Sequence, residues 1–139
     1  MSVFEMAKSE VWINDLRKEL GIDDEQRACL ALRAGLHALR DRLTVEETAH
    51  LAAQLPTAIR GLFFEGWHPG GKRPRLRSQE SFLEAIEKGM PHGRLDARRV
   101  ARAVFRVIDR HVSQGQVDNV RHSLPRAIAE LWSAPVPLP

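Results

Sequence analysis

The feature that most restricts this chain is that it matches itself. Residues 27–63 and 96–132, 69 positions apart, are identical at eight of 37 places: Ala28/Ala97, Arg33/Arg102, Ala34/Ala103, Leu55/Leu124, Pro56/Pro125, Ala58/Ala127, Ile59/Ile128 and Leu62/Leu131. Chance would give about two or three such identities. The mismatches keep their character: Leu36/Phe105, Ala38/Val107, Leu39/Ile108, Leu43/Val112, Thr44/Ser113, Leu51/Val120 and Phe63/Trp132. Upstream, Trp12-Ile13 with Leu16 answers Phe82-Leu83 with Ile86, now at an offset of 70. A duplicated unit must fold the same way twice, and each copy buries its apolar face against the other.

The period of that face is helical. Leu32, Leu36, Leu39 and Leu43 recur at i, i+4, i+7 and i+11, and Ala101, Phe105, Ile108 and Val112 repeat the stripe. An opening helix is predicted near Ser9–Leu20, stopped by Gly21, with Asp23, Asp24 and Glu25 placed for the dipole of the next helix. Thr44-x-x-Glu47 and Ser113-x-x-Gln116 read as reciprocal capping boxes opening a third helix in each copy. Leu-Pro at Pro56 and Pro125 then ends that helix and starts a short final one, with proline near its first position. The expected fold is all-α, one domain of two pseudo-equivalent helical repeats packed as a bundle. Repeat one spans about 9–63, a Gly/Pro-rich connector 64–77, repeat two about 78–133 and an extended tail 134–139.

Composition fits a globular helical chain: 43% of residues are hydrophobic, 28% are charged and tyrosine is absent. No apolar run approaches a membrane span, no apolar leader stands at the N-terminus, and the single cysteine, Cys29, permits no internal disulfide. Together these point to a cytoplasmic protein that does not enter the membrane. Charge is uneven. Residues 1–65 hold 8 Lys/Arg against 11 Asp/Glu and residues 66–139 hold 13 against 7, giving −3 and +6. Such asymmetry can steer an anionic partner or draw two copies together head to tail.

Several residues also carry a resemblance. Ala31-Leu32-Arg33, Leu39 to Leu43, His50 to Pro56, Arg60 to Trp67, Ser81-Phe82-Leu83, Leu124-Pro125 and Leu131-Trp132 together resemble the family catalogued as domain of unknown function 2267. The likeness covers about residues 9–133, and the stretch from Gln54-Leu55-Pro56 to Glu65-Gly66-Trp67 is its most specific part. Phe63-Phe64 stands where tyrosines are common in the family, so hydroxyls are missing there. The resemblance implies an all-helical bacterial protein and supplies no established reaction.

Local chemistry is sparse. Gly66 to Arg73 nearly spells a phosphate-binding loop, but Arg73 replaces the metal-binding hydroxyl, Pro74 follows, and no strand precedes it. Glu47-x-x-His50 has di-iron spacing, yet Gln116 and Asn119 occupy the matching positions, so the motif cannot be completed. His50 is expected instead to serve backbone groups freed at the Leu-Pro bend. Cys29 reads as a small core residue. No catalytic, cofactor or metal residues are therefore assigned, and an enzyme is not expected.

Two surfaces remain. Lys72, Arg73, Arg75 and Arg77 lie close together in the connector, and Arg99, Arg102, Arg106 and Arg110 form a stripe read as lying opposite the apolar face. These are the candidate anion or nucleic-acid contacts. Phe64, Glu65 and Trp67 form the candidate partner surface, with Trp67 either an anchor or a plug over the core. The function expected first is a non-catalytic helical interaction or scaffold protein, another copy of itself being one candidate partner. The alternative is a nucleic-acid-binding accessory protein. Convergence of the arginines on one free surface favours the alternative, and pairing with acids counts against it.

Overall fold

A computed structural model describes residues 2–69, 77–90 and 95–133. Eight helices follow in order: α1 (Val3–Leu20), α2 (Glu25–Arg40), α3 (Val45–Ala53), α4 (Thr57–Phe64), α5 (Gln79–Lys88), α6 (Ala97–His111), α7 (Gln114–Ser123) and α8 (Arg126–Ser133). There is no strand among the described residues. The chain is all-helical.

Caps fix most of the starts. Ser2, Asp24, Thr44, Ser78, Asp96 and Ser113 each accept a backbone N–H from the first turn of the helix they open, contacts worth about 0.5–2 kcal/mol apiece. The helix expected from Ser9 begins six residues earlier, because Ser2 Oγ accepts the Glu5 N–H at 3.1 Å. Its first two turns are largely exposed and add little to the core. Gly21 ends α1 at φ 66°, a left-handed conformation suited to glycine. Pro56 is the N-cap of α4 and Pro125 immediately precedes α8, so each proline sits at a helix boundary.

The capping boxes are only half formed. Thr44 Oγ1 accepts the Glu47 N–H at 3.0 Å, while Glu47 Oε2 accepts from Gln116 Nε2 at 3.2 Å. Ser113 Oγ likewise accepts the Gln116 N–H at 3.3 Å, but the Ser113 N–H goes to Gln54 Oε1 at 2.8 Å. Tertiary partners from the facing helix displace the reciprocal local bonds.

One core runs through the molecule. Both predicted stripes are buried throughout. The helices α1 and α6 pack together, as do α5 and α2, while α2 crosses α6 and α3 faces α7. At the crossing the backbone of Gly35 lies against Val104, and a Cβ at Gly35 would stand 2.7 Å from Val104 Cγ2. Phe82, Phe105 and Trp132 stack with ring centroids 5.9 and 4.2 Å apart. Cys29 is half-buried at the core margin, where burial pushes its thiol pKa up, as expected for an inert thiol.

Candidate functional site

Part of the arginine stripe of α6 runs beside α1. Arg106 Nη1 donates to Glu19 Oε2 at 2.9 Å, and Arg110 Nη2 donates to Glu19 Oε1 at 2.9 Å. Arg110 Nη1 also lies 3.5 Å from Asp15 Oδ2, which meets His111 Nε2 at 2.5 Å. The His111 ring stacks on Trp12 with centroids 5.2 Å apart. Burial raises the pKa of Asp15 and Glu19, but hydrogen bonds and charge from His111, Arg106 and Arg110 outweigh it and hold both below the ordinary carboxylate range. Arg106 and Arg110 are therefore paired with acids along the seam between α1 and α6.

The other members of the basic set divide. Arg99 is exposed beside Gly21, and Arg102 is half-buried with an Nε that finds no acceptor. Arg77 is exposed. Lys72, Arg73 and Arg75 lie outside the described residues.

Phe64, Glu65 and Trp67 meet at the end of α4. Phe64 packs on Phe63 and Trp67 on Phe64, with centroids 5.5 and 5.2 Å apart, and both Phe64 and Trp67 are half-buried. A basic face of α2 holds this end in place. Arg33 donates to Glu65 Oε1 at 2.9 Å, His37 Nε2 meets Leu62 O at 2.8 Å, and Arg40 Nη1 donates to Phe63 O and Glu65 O at 2.9 and 2.8 Å. A carbonyl can only accept, so His37 Nε2 carries the proton. Burial lowers the His37 pKa and favours the neutral ring. These donors answer the carbonyls and negative dipole end of α4. Arg33, on the other hand, keeps Glu65 below its usual pKa.

The bend between α3 and α4 is served by Arg60, not by His50. Arg60 Nε donates to Ala52 O at 2.8 Å and Nη2 to Leu55 O at 3.0 Å, whereas His50 is exposed, 4.0 Å from Glu47 Oε1. The longer side chain reaches back over the break from the following helix, and a planar guanidinium can satisfy several carbonyls together. Among the described residues, no three His, Cys, Asp or Glu side chains gather as a metal site requires. No helix there is long and apolar enough to cross a membrane.

Comparison with known families matches residues 9–131 to the one described as Uncharacterized conserved protein (DUF2267). The chain belongs to that family. No curated protein matches it. The DUF2267 match takes in the α1–α6 seam, the bend and the aromatic end of α4.

What the sequence reading missed in this DUF2267 chain is the basic face of α2. Its signal is present: Arg33, His37 and Arg40 recur at i, i+4 and i+7 beside the leucine stripe. The same holds for Asp15 and Glu19, one turn apart on α1. Neither spacing reveals its destination, because both partners lie on helices distant in sequence.

Proposed function

We propose that this protein is a non-catalytic helical scaffold that acts by contact with a protein partner, another copy of itself included. The observation that carries the reading is the exposed apolar start of α1. Val3 and Phe4 are each 80% exposed, and Met6, Ala7 and Val11 are exposed beyond them. Val3, Ala7 and Val11 follow at i, i+4 and i+8, with Phe4 seven residues before Val11, so they share one side of the helix. A non-catalytic role is supported by the perturbed carboxylates, each of which has a structural partner. Asp15 and Glu19 bind α6, Glu65 binds Arg33, Glu5 caps α4, and Asp109 accepts from Trp132 Nε1 at 3.1 Å.

Part of this proposal is that the scaffold consists of two four-helix units, α1–α4 and α5–α8, about an approximate two-fold axis. Helices α3 and α7 begin 69 residues apart, as do α4 and α8. The contacts of α1 with α2, α4 and α6 are answered by those of α5 with α6, α8 and α2. On such an axis a residue meets its own counterpart. Gly35 meets Val104 and Glu47 meets Gln116, each pair separated by 69 positions.

Light scattering behind size exclusion, across a concentration series, tests the self-contact. Association weakened by Phe4→Ser with Val11→Ser is expected. A chain that stays monomeric at all concentrations, and whose protein contacts ignore both substitutions, overturns the proposal.

The nucleic-acid alternative is favoured by one observation. Arg98 Nη1 lies 3.3 Å from Gln79 Oε1, which brings the starts of α5 and α6 together near exposed Arg77 and Arg99. Against it, Arg106 and Arg110 are paired with acids.

A further inference from the structure

A cleft of about 690 Å³ opens between the first half of α1, the α3–α4 bend and the end of α6. That volume lies within the range of small-molecule sites, about 300–1,000 Å³. Val11, Trp12, Leu55 and Pro56 give it an apolar side, and Glu5, Lys8, Gln54, Thr57, Arg60 and His111 give it a polar one.

Its hydrogen-bonding inventory is one-sided. The carboxylate and amide oxygens on its wall are each engaged by a neighbouring protein group. Glu5 Oε2 accepts both the Thr57 N–H and the Thr57 hydroxyl at 3.0 Å, and Glu5 Oε1 lies 3.5 Å from Lys8 Nζ. Gln54 Oε1 accepts from the Ser113 N–H, and Asp15, behind the wall, is engaged by His111 and Arg110. Donors remain. Lys8 carries three protons and meets only Glu5, and its side chain is 66% exposed. Arg60 uses Nε and Nη2 on the bend, and its Nη1 has no partner among the described residues.

We propose that this cleft binds a small organic acid, a carboxylate on an apolar body, with the carboxylate between Lys8 and Arg60 and the body against Val11, Leu55 and Pro56. The assignment follows from complementarity: a wall with free cationic donors and engaged acceptors favours a ligand that only accepts. The apolar side favours more than a bare ion. The Arg60 head is fixed by two backbone carbonyls, so one of the two donors is positioned before the ligand arrives.

The test is titration of the full-length protein, followed by amide and indole NMR shifts, with three probes: benzoate, benzamide and acetate. Benzoate is expected to shift Val11, Trp12, Leu55, Thr57 and His111 saturably with a Kd of about 1 mM or tighter. Benzamide keeps the body and loses the charge, acetate does the reverse, and each is expected to bind at least about tenfold more weakly. Lys8→Glu, at an exposed position whose spectrum verifies the fold, is expected to remove benzoate binding. Equal binding of benzamide or acetate overturns the inference. So do shifts outside the cleft, indifference to Lys8→Glu, or no saturable shift up to about 10 mM.

Discussion

Gly35 offers the sharpest test of how the two halves meet. A Cβ added there would stand 2.7 Å from Val104 Cγ2, 3.3 Å from Val104 Cβ and 3.4 Å from Cγ1. Carbon atoms rest about 3.5–4.0 Å apart, so the nearest contact is short by about 1 Å. Val104 is 1% exposed and β-branched on a helix, and it cannot rotate out of the way. The crossing of α2 and α6 must open, an overpacking cost of about 1–3 kcal/mol. Alanine returns about 1 kcal/mol of helix propensity over glycine. Gly35→Ala is thus expected to destabilise by about 1 kcal/mol net, lowering the thermal midpoint by about 4 °C, read by far-UV circular dichroism. Val104→Ala alone leaves a void costing about 2 kcal/mol. In the double variant the new methyl occupies part of that void, so its cost should fall at least about 1 kcal/mol below the sum of the singles. A stabilised Gly35→Ala, additive with Val104→Ala, would refute the close crossing.

Other outcomes follow from the same contacts. Arg40 is 5% exposed and holds two carbonyls at the end of α4, so Arg40→Met should cost about 2–4 kcal/mol in urea unfolding and weaken the near-UV signal of Trp67. Arg60→Ala, which frees the Ala52 and Leu55 carbonyls, should cost about 1–3 kcal/mol, whereas His50→Ala should change stability by less than about 0.5 kcal/mol. Asp15 and Glu19 have folded pKa values below their unfolded ones, so their contribution is present above the unfolded carboxylate pKa and is lost as pH falls through the folded values. Urea midpoints should fall with acid over that window, and the doubly substituted Asp15→Asn, Glu19→Gln protein should show a flatter profile. Nucleic acid, if bound through Lys72, Arg73, Arg75 and Arg77, should show a log–log salt slope of about −3 to −4 that serine at all four positions flattens. No binding tighter than about micromolar at physiological salt is expected, and tight, salt-steep binding lost in that variant would reverse the ranking of the two functions.

Most of the local structure was legible in the sequence because it depends on neighbours along the chain. Thr44 and Ser113 cap, Pro56 and Pro125 interrupt, and both apolar stripes are buried where the 3.6-residue period puts them. The misreadings share one cause. Glu47 and the Ser113 N–H were expected to serve their own capping boxes and His50 the broken helix. In each case another side chain is better placed: Gln116 and Gln54 across the contact of α3 with α7, and Arg60 from the following helix. Spacing reveals which residues share a face; it does not identify what that face meets. The start of α1 escaped for a different reason. Its first turns are exposed and contribute few side chains to the core.

The uneven charge acquires a physical meaning on the proposed two-unit reading. The two seams, α1 with α6 and α5 with α2, would be equivalent by descent, yet their chemistry differs. Where α1 carries Asp15 and Glu19, α5 and its C-cap carry Ala85 and Gly89; where α6 carries Arg106 and Arg110, α2 and its C-cap carry His37 and Asp41. One seam closes with ion pairs at 2.9 Å. The other closes by contact, with the backbone of Gly89 so near Ala34 that an added Cβ would lie 2.8 Å from the alanine methyl. Pairing the first unit with a copy of itself would set Asp15 and Glu19 against His37 and Asp41, acid beside acid. Pairing the second with itself would leave Arg106 and Arg110 facing Ala85 and Gly89, without a counter-charge. Each mismatched seam is penalised, one by repulsion and the other by partly buried unpaired guanidinium groups. The −3 and +6 of the two halves thus favour the pairing found within one chain, and they leave self-association to the apolar side of the start of α1, where Val3, Phe4, Ala7 and Val11 share a face.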